Sequence, residues 1–132
     1  MIEIEWQDAN QTILVWKFHD GWKTQDFMKA ISLTEKTVSE RTHRSIVHIL
    51  LDVQRTQTIP SDMLTLGRNA IKRAISNGHK GLVVIINPSQ IWLELYNALQ
   101  STMEQSINIR FAKNADEAYQ MMNDANDSSI NT

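Results

Sequence analysis

The chain has 132 residues, 42% apolar and 21% charged, a balance that fits one folded domain and excludes a disordered or fibrous chain. A formal net charge of −2 gives no overall attraction to nucleic acid or to an anionic membrane surface. The absence of cysteine excludes disulfides, Fe–S clusters, thiolate zinc sites and cysteine nucleophiles. A chain of this length buries roughly two-thirds of its unfolded surface, so it needs no such staple.

Met1-Ile2-Glu3-Ile4-Glu5 lacks the basic start and apolar run of a signal peptide. Apolar runs such as Leu82 to Ile86 are far too short to span a bilayer. The expectation is a soluble, cytoplasmic protein without a membrane span.

Residues 2–6 alternate apolar and acidic, the pattern of a half-buried strand. Residues 12–19 form a second strand, and Gln7-Asp8-Ala9-Asn10 between them suits the turn of a hairpin. Asp20-Gly21 ends this unit. Thr24 is a candidate N-cap for an amphipathic helix whose inner stripe is Phe27, Ala30, Ile31, Thr34 and Val38. Residues 46–53 are nearly continuous apolar, broken by His48 and closed by Asp52, as in a strand covered on both faces.

A polar loop over 54–59 leads to Pro60-Ser61, which opens a second helix. Its stripe is Leu64, Gly67, Ile71, Ala74 and Ile75, and Gly78 is its expected C-terminal cap. Residues 82–86 are another buried strand. Asn87-Pro88-Ser89 opens a third helix carrying Ile91, Trp92, Leu95, Leu99 and Met103 inward. Residues 107–111 alternate, as an edge strand does. Asn114 followed by Glu117 suggests a capping box for a last helix with Ala118, Tyr119 and Met122 inward. Beyond residue 124 periodicity ends, so 125–132 is expected to be a disordered tail on a domain spanning 1–124.

The order β-β-α-β-α-β-α-β-α predicts an α/β single domain with a mixed, mostly parallel five-stranded sheet and four helices, joined by right-handed crossovers. Continuous strands belong in its centre and alternating ones at its edges.

Several local features then carry a resemblance. Gly21-Trp22-Lys23-Thr24 leads into the first helix. Ile49-Leu50-Leu51-Asp52 is followed by a polar loop and Pro60-Ser61-Asp62. Arg110-Phe111-Ala112 is followed by Ala115-Asp116-Glu117-Ala118. In their order and spacing over residues 2–123, these resemble the STAS family of bacterial anti-sigma factor antagonists, and most of all its small uncharacterised relatives. The resemblance implies a regulatory, protein-binding, non-enzymatic domain. In the antagonists a serine in an Asp-Ser-Ser-Gly motif opens the second helix and is phosphorylated by a partner kinase. Ser61 falls near that position, but Pro60-Ser61-Asp62-Met63 lacks the glycine.

No catalytic constellation emerges. His19, His43, His48 and His79 fall in separate segments, none spaced as a helical zinc pair. Gly78-His79-Lys80-Gly81 is a tight connection rather than a phosphate loop. His48 and Asp52 share a strand face but lie over about 12 Å apart along it. No metal and no cofactor are expected.

Ser61, Asp52, Asn87 and Ser89 are all placed where parallel strands end and helices begin, the usual crevice of open α/β sheets. A phosphate on Ser61 would meet a helix N-terminus, with Asp62 opposing it. Arg68 and Lys72 lie one turn apart, off the apolar stripe, and with Arg73 and Lys80 could form a basic patch. A solvated helix face and ordinary caps explain the same residues more blandly. The favoured expectation is a protein partner docking around Ser61, Asp62, Arg68 and Lys72. The alternative is a small molecule or lipid held between helices and sheet, to be decided by whether an apolar cavity exists. Association with a second copy is left open.

Overall fold

The computed structural model describes residues 1–43, 45–56, 58–103 and 107–130, with the side chains of residues 101–103 and 127–130 outside the description. Strands β1 (Ile2–Trp6), β2 (Ile13–Phe18), β3 (His48–Asp52), β4 (Leu82–Ile86) and β5 (Asn108–Ala112) form one sheet in the order β1-β2-β3-β4-β5. The helices are α1 (Thr24–Ser39), α2 (Met63–Ser76), α3 (Gln90–Met103) and α4 (Ala115–Ile130). β1 and β2 pair antiparallel, with Ile2 opposite Phe18 and Trp6 opposite Leu14. β2 to β5 are parallel, with Val15 beside Leu50, Leu50 beside Val84 and Val84 beside Arg110. The five-stranded, four-helix α/β domain and its element order agree with the sequence expectation. The alternating strands lie at the edges and the continuous ones inside.

Because β2 to β5 follow one another across the sheet, right-handed crossovers place α1, α2 and α3 on one face. Only α4, which follows the last strand, can cover the other. The core divides accordingly. Leu14, Trp16, Phe18 and Ile85 pack with Phe27 and Ala30 of α1, Met63 of α2 and Trp92 of α3. Val15, Leu50, Val84 and Ile86 pack with Ala118 and Met122 of α4. On the three-helix side, Phe18 meets Trp22 and Trp92 edge-to-face, with ring centroids 5.1 and 5.5 Å away. Trp22 is buried, and its Nε1 donates to Thr56 Oγ1 at 3.2 Å.

The helix ends follow capping chemistry, with one shift. Lys23, not Thr24, is the N-cap of α1, because its backbone N–H donates to the Asp26 carboxylate at 2.8 Å. Thr24 is instead the first helical residue, and its hydroxyl donates to Asp62 Oδ1 at 2.8 Å. At the end of α2, Gly78 adopts φ +74°, the left-handed conformation that glycine tolerates. The N–H groups of Gly78 and His79 donate to the carbonyls of Ile75 and Ala74, a Schellman closure. Asn114 Oδ1 accepts from the Glu117 N–H at 2.9 Å, as expected of a cap. Gly81 is required by proximity: a Cβ there would stand 1.8 Å from the Val47 carbonyl oxygen.

α4 continues to Ile130, past residue 124 where the sequence placed the end of the domain. Ala118 and Met122 lead at i+4 to Asn126, whose Oδ1 lies 2.8 Å from His48 Nε2. His48 is buried in β3, and its Nδ1 accepts the Leu82 N–H at 2.9 Å. Nδ1 must therefore be unprotonated, so Nε2 carries the proton and donates to Asn126. The helix persists because its next inward residue is a polar one with a buried partner.

Candidate functional site

At the carboxyl ends of the strands lies a shallow polar cleft of about 530 Å³. Lys23, Thr24, Ser61 and Asp62 line it. Asp62 is the N-cap of α2 but makes no side-chain cap bond, because its carboxylate is taken by Thr24. Ser61 precedes the cap and is exposed, so the expectation that it opens the helix is shifted by two residues. The other sequence candidates disperse. Asp52 accepts from the backbone and side-chain N–H groups of Gln54, at 3.2 and 3.1 Å, and so closes the turn after β3. Asn87 is exposed at φ +43°, its N–H donating to the Ala112 carbonyl at 2.7 Å.

Arg68 and Lys72 are exposed on the outer side of α2, and no ion pair engages them among the described residues. Arg73 differs from them: its guanidinium grips the Glu35 carboxylate of α1, Nε at 2.7 Å, and Asn77 Nδ2 joins the same carboxylate at 2.7 Å. The expected basic patch thus loses one member to a clasp between α1 and α2.

The larger opening lies between helices and sheet, where the sequence left a ligand as the alternative without deciding whether a cavity exists. Between the three-helix layer and the sheet runs a cleft of about 1430 Å³. Its floor is Trp16, Ile49, Leu51, Val83, Ile85 and Ile109, and its helical walls include Ile31, Val38, Met63, Ala70, Trp92 and Leu95. α2 packs along α3, where Ile71 and Leu99 share a cluster with Ile107. Gly67 permits that approach, since a Cβ there would come within 2.9 Å of the Leu99 side chain. Held by α3, α2 roofs the strands without sealing them. Ile49, Leu51 and Val83, although on central strands, remain half-buried.

The polar rim of this cleft includes Arg41, His43 and Ser45 before β3, and Asn77, His79 and Lys80 before β4. It therefore gathers at the amino ends of the strands. At the carboxyl ends, where the sequence placed the crevice, lies the smaller polar cleft. The Arg41 guanidinium donates to the carbonyls of Gln11 at 3.0 Å and Ser45 at 2.9 Å, and lies 5.9 Å from the Trp6 ring centroid. It has no carboxylate partner among the described residues. Burial holds the His79 pKa below its ordinary value, and the nearby His48 adds to this against a backbone bond at Gly81. Among the described residues no group of three or more acidic or histidine side chains could hold a metal ion. No helix among them is long and apolar enough to cross a membrane.

The sheet order and the helix placement define a STAS-like fold. Among solved structures, the anti-sigma factor antagonist SpoIIAA in its unphosphorylated form superposes with a TM-score of 0.52 at 16% identity, over 92% of this chain and 96% of that one. At that identity the likeness establishes the fold. No family model and no curated protein matches the sequence.

Proposed function

We propose that this chain is a non-enzymatic regulatory module that docks a protein partner through the loop before α2 and the outer face of that helix, around Ser61, Asp62, Arg68 and Lys72. One observation carries this reading: Arg68 and Lys72 are exposed one turn apart, and among the described residues neither has an acidic partner. Such a pair favours an acidic partner surface through steering and register more than through raw affinity. The STAS-like fold, shared with an anti-sigma factor antagonist, supports a bacterial, cytoplasmic signalling role by analogy. Ser61 is the site where a phosphate would alter this face. Lys23 would attract it and Asp62 would repel it, both lining the same cleft. Capture experiments with the wild-type chain, an R68E/K72E variant and a K29E control on α1 test the surface. Loss of a captured partner in the double variant alone is expected; equal capture by all three would refute it.

A second reading is favoured by the large apolar cleft. Its volume of about 1430 Å³, apolar floor and polar rim meet the general description of a ligand site. In this reading the module holds a small molecule or lipid between helices and sheet. Native mass spectrometry of the chain from its own cells is expected to detect a retained species, removed by organic extraction.

A further inference from the structure

We infer that the cleft takes an acyl amphiphile whose anionic head group sits at the amino ends of β3 and β4, against Lys80, Arg41 and the two rim histidines. This rests on the ligand reading above and adds to it the charge and orientation of the ligand.

The first argument is charge. The rim contains Arg41, Arg73, Lys80, His43 and His79 against one acid, Glu35. Arg73 neutralises that acid. Arg41 and Lys80 remain without carboxylate partners among the described residues, and Lys80 is exposed. The C-terminal ends of α1 and α2 also point here, and their dipoles would oppose an anion. That opposition is blunted. The last turn of α2 is closed by the N–H groups of Gly78 and His79, and the Val38 carbonyl of α1 accepts from Arg41 Nε. Full charges on Arg41 and Lys80 therefore set the sign of the rim.

The second argument is unmet hydrogen bonding. Seven buried side-chain atoms have no hydrogen-bond partner among the described residues, and five belong to residues lining this cleft. They are His43 Nδ1, His79 Nε2, Thr34 Oγ1 and the indole Nε1 atoms of Trp16 and Trp92. Buried polar groups left unpaired are costly, and they concentrate where something else supplies the partner. Each of these atoms has almost no accessible surface in the empty cleft, so it meets a ligand's oxygen only if its side chain turns as the ligand enters. Between these groups the floor is hydrocarbon, which fits an alkyl chain and no second charge.

Tryptophan fluorescence provides the readout, since Trp16 and Trp92 line the cleft. The chain is titrated with dodecanoate and dodecyltrimethylammonium below their micellar concentrations, and with dodecanol below its solubility limit. Dodecanoate is expected to bind about ten-fold more tightly than either, a ratio equal to about 1.4 kcal/mol. Lys80→Glu should remove that preference and leave dodecanol binding unchanged, while Ala70→Phe should weaken every chain by filling the cleft. Thermal melts verify that each variant is folded. Equal binding of dodecanoate and dodecanol, or no effect of Lys80→Glu, overturns the anionic head group and leaves the ligand cleft standing. Failure of all three probes to bind overturns the cleft reading itself, and this inference with it.

Discussion

The two faces of the sheet are made from alternate residues of the same strands, yet they pack differently. On the α4 face, Leu50 and Val84 are 1% and 0% exposed, sealed by Ala118 and Met122. On the other face, their immediate neighbours Ile49, Leu51 and Val83 remain half-buried beneath three helices. More covering structure leaves more space. α4 follows the last strand of the sheet and packs onto β4 and β5. α2 is tethered at both ends to central strands, and its packing is spent on α3. One face supplies stability and the other supplies volume.

The comparison breaks most sharply at Leu50 and Leu51. Leu50→Ala should destabilise the fold by about 3 kcal/mol, because it removes buried hydrocarbon and leaves a cavity in a tight face. Leu51→Ala should cost about 1 kcal/mol, since its side chain already borders open space and has less packing to lose. Urea unfolding with a common m-value measures both. Equal shifts in the midpoint would mean that the cleft face is as tightly packed in solution as the other.

The sealed face also depends on one polar contact. Asn126→Ala would leave the His48 Nε2 proton buried without an acceptor, at a cost of about 1–2 kcal/mol. The matching sign is faster exchange of that ring proton by NMR, and an unchanged rate would remove His48–Asn126 from the account. At the cleft rim the pH dependence is set by His79. Its folded pKa lies below the unfolded value, so the unfolded chain binds a proton first as pH falls. The stability it contributes is full above the unfolded pKa, about 6.5, and declines through the window below it. His79→Gln should flatten that part of the pH–stability curve without touching the behaviour above it.

Element order, crossovers, edge strands and several caps were legible because they rest on local periodicity and capping chemistry. Gly78 and Asn114 do what their positions predict. The contact of Asn126 with His48 was not legible, because Asn126 looks polar in sequence and only the fold pairs it with a histidine 78 residues away. Ser61 and Asp62 could be placed beside a helix start, but the meeting of Thr24 with Asp62 could not, for the same reason. The cleft, left open as an alternative, was undecided for another cause. Apolar spacing says which side of α2 turns inward, not how far from the sheet it rests. Leu64, Gly67, Ile71 and Ala74 would read identically over a filled core. The nearest available sign was Gly67, a small residue on an apolar stripe that lets α3 come close. The rim residues Arg41, His43, His79 and Lys80 come from two loops that topology alone brings together.

The smallest expected effect concerns the clasp over that opening. Glu35 of α1 accepts from Arg73 of α2 and from Asn77 at the C-cap of that helix. Arg73 is exposed and Glu35 only half-buried, so the pair should contribute only about 0.5 kcal/mol to stability. Its larger role is to limit how far α2 departs from α1. A double-mutant cycle of Glu35→Gln and Arg73→Gln separates the two roles. The coupling energy in unfolding should be near that small figure, whereas backbone amide exchange along α2 should quicken clearly in either single variant. If α2 exchange is unchanged while α4 exchange also stays constant, the width of the cleft is set by the α2–α3 contact alone, and the three-helix face is as rigid as the sealed one.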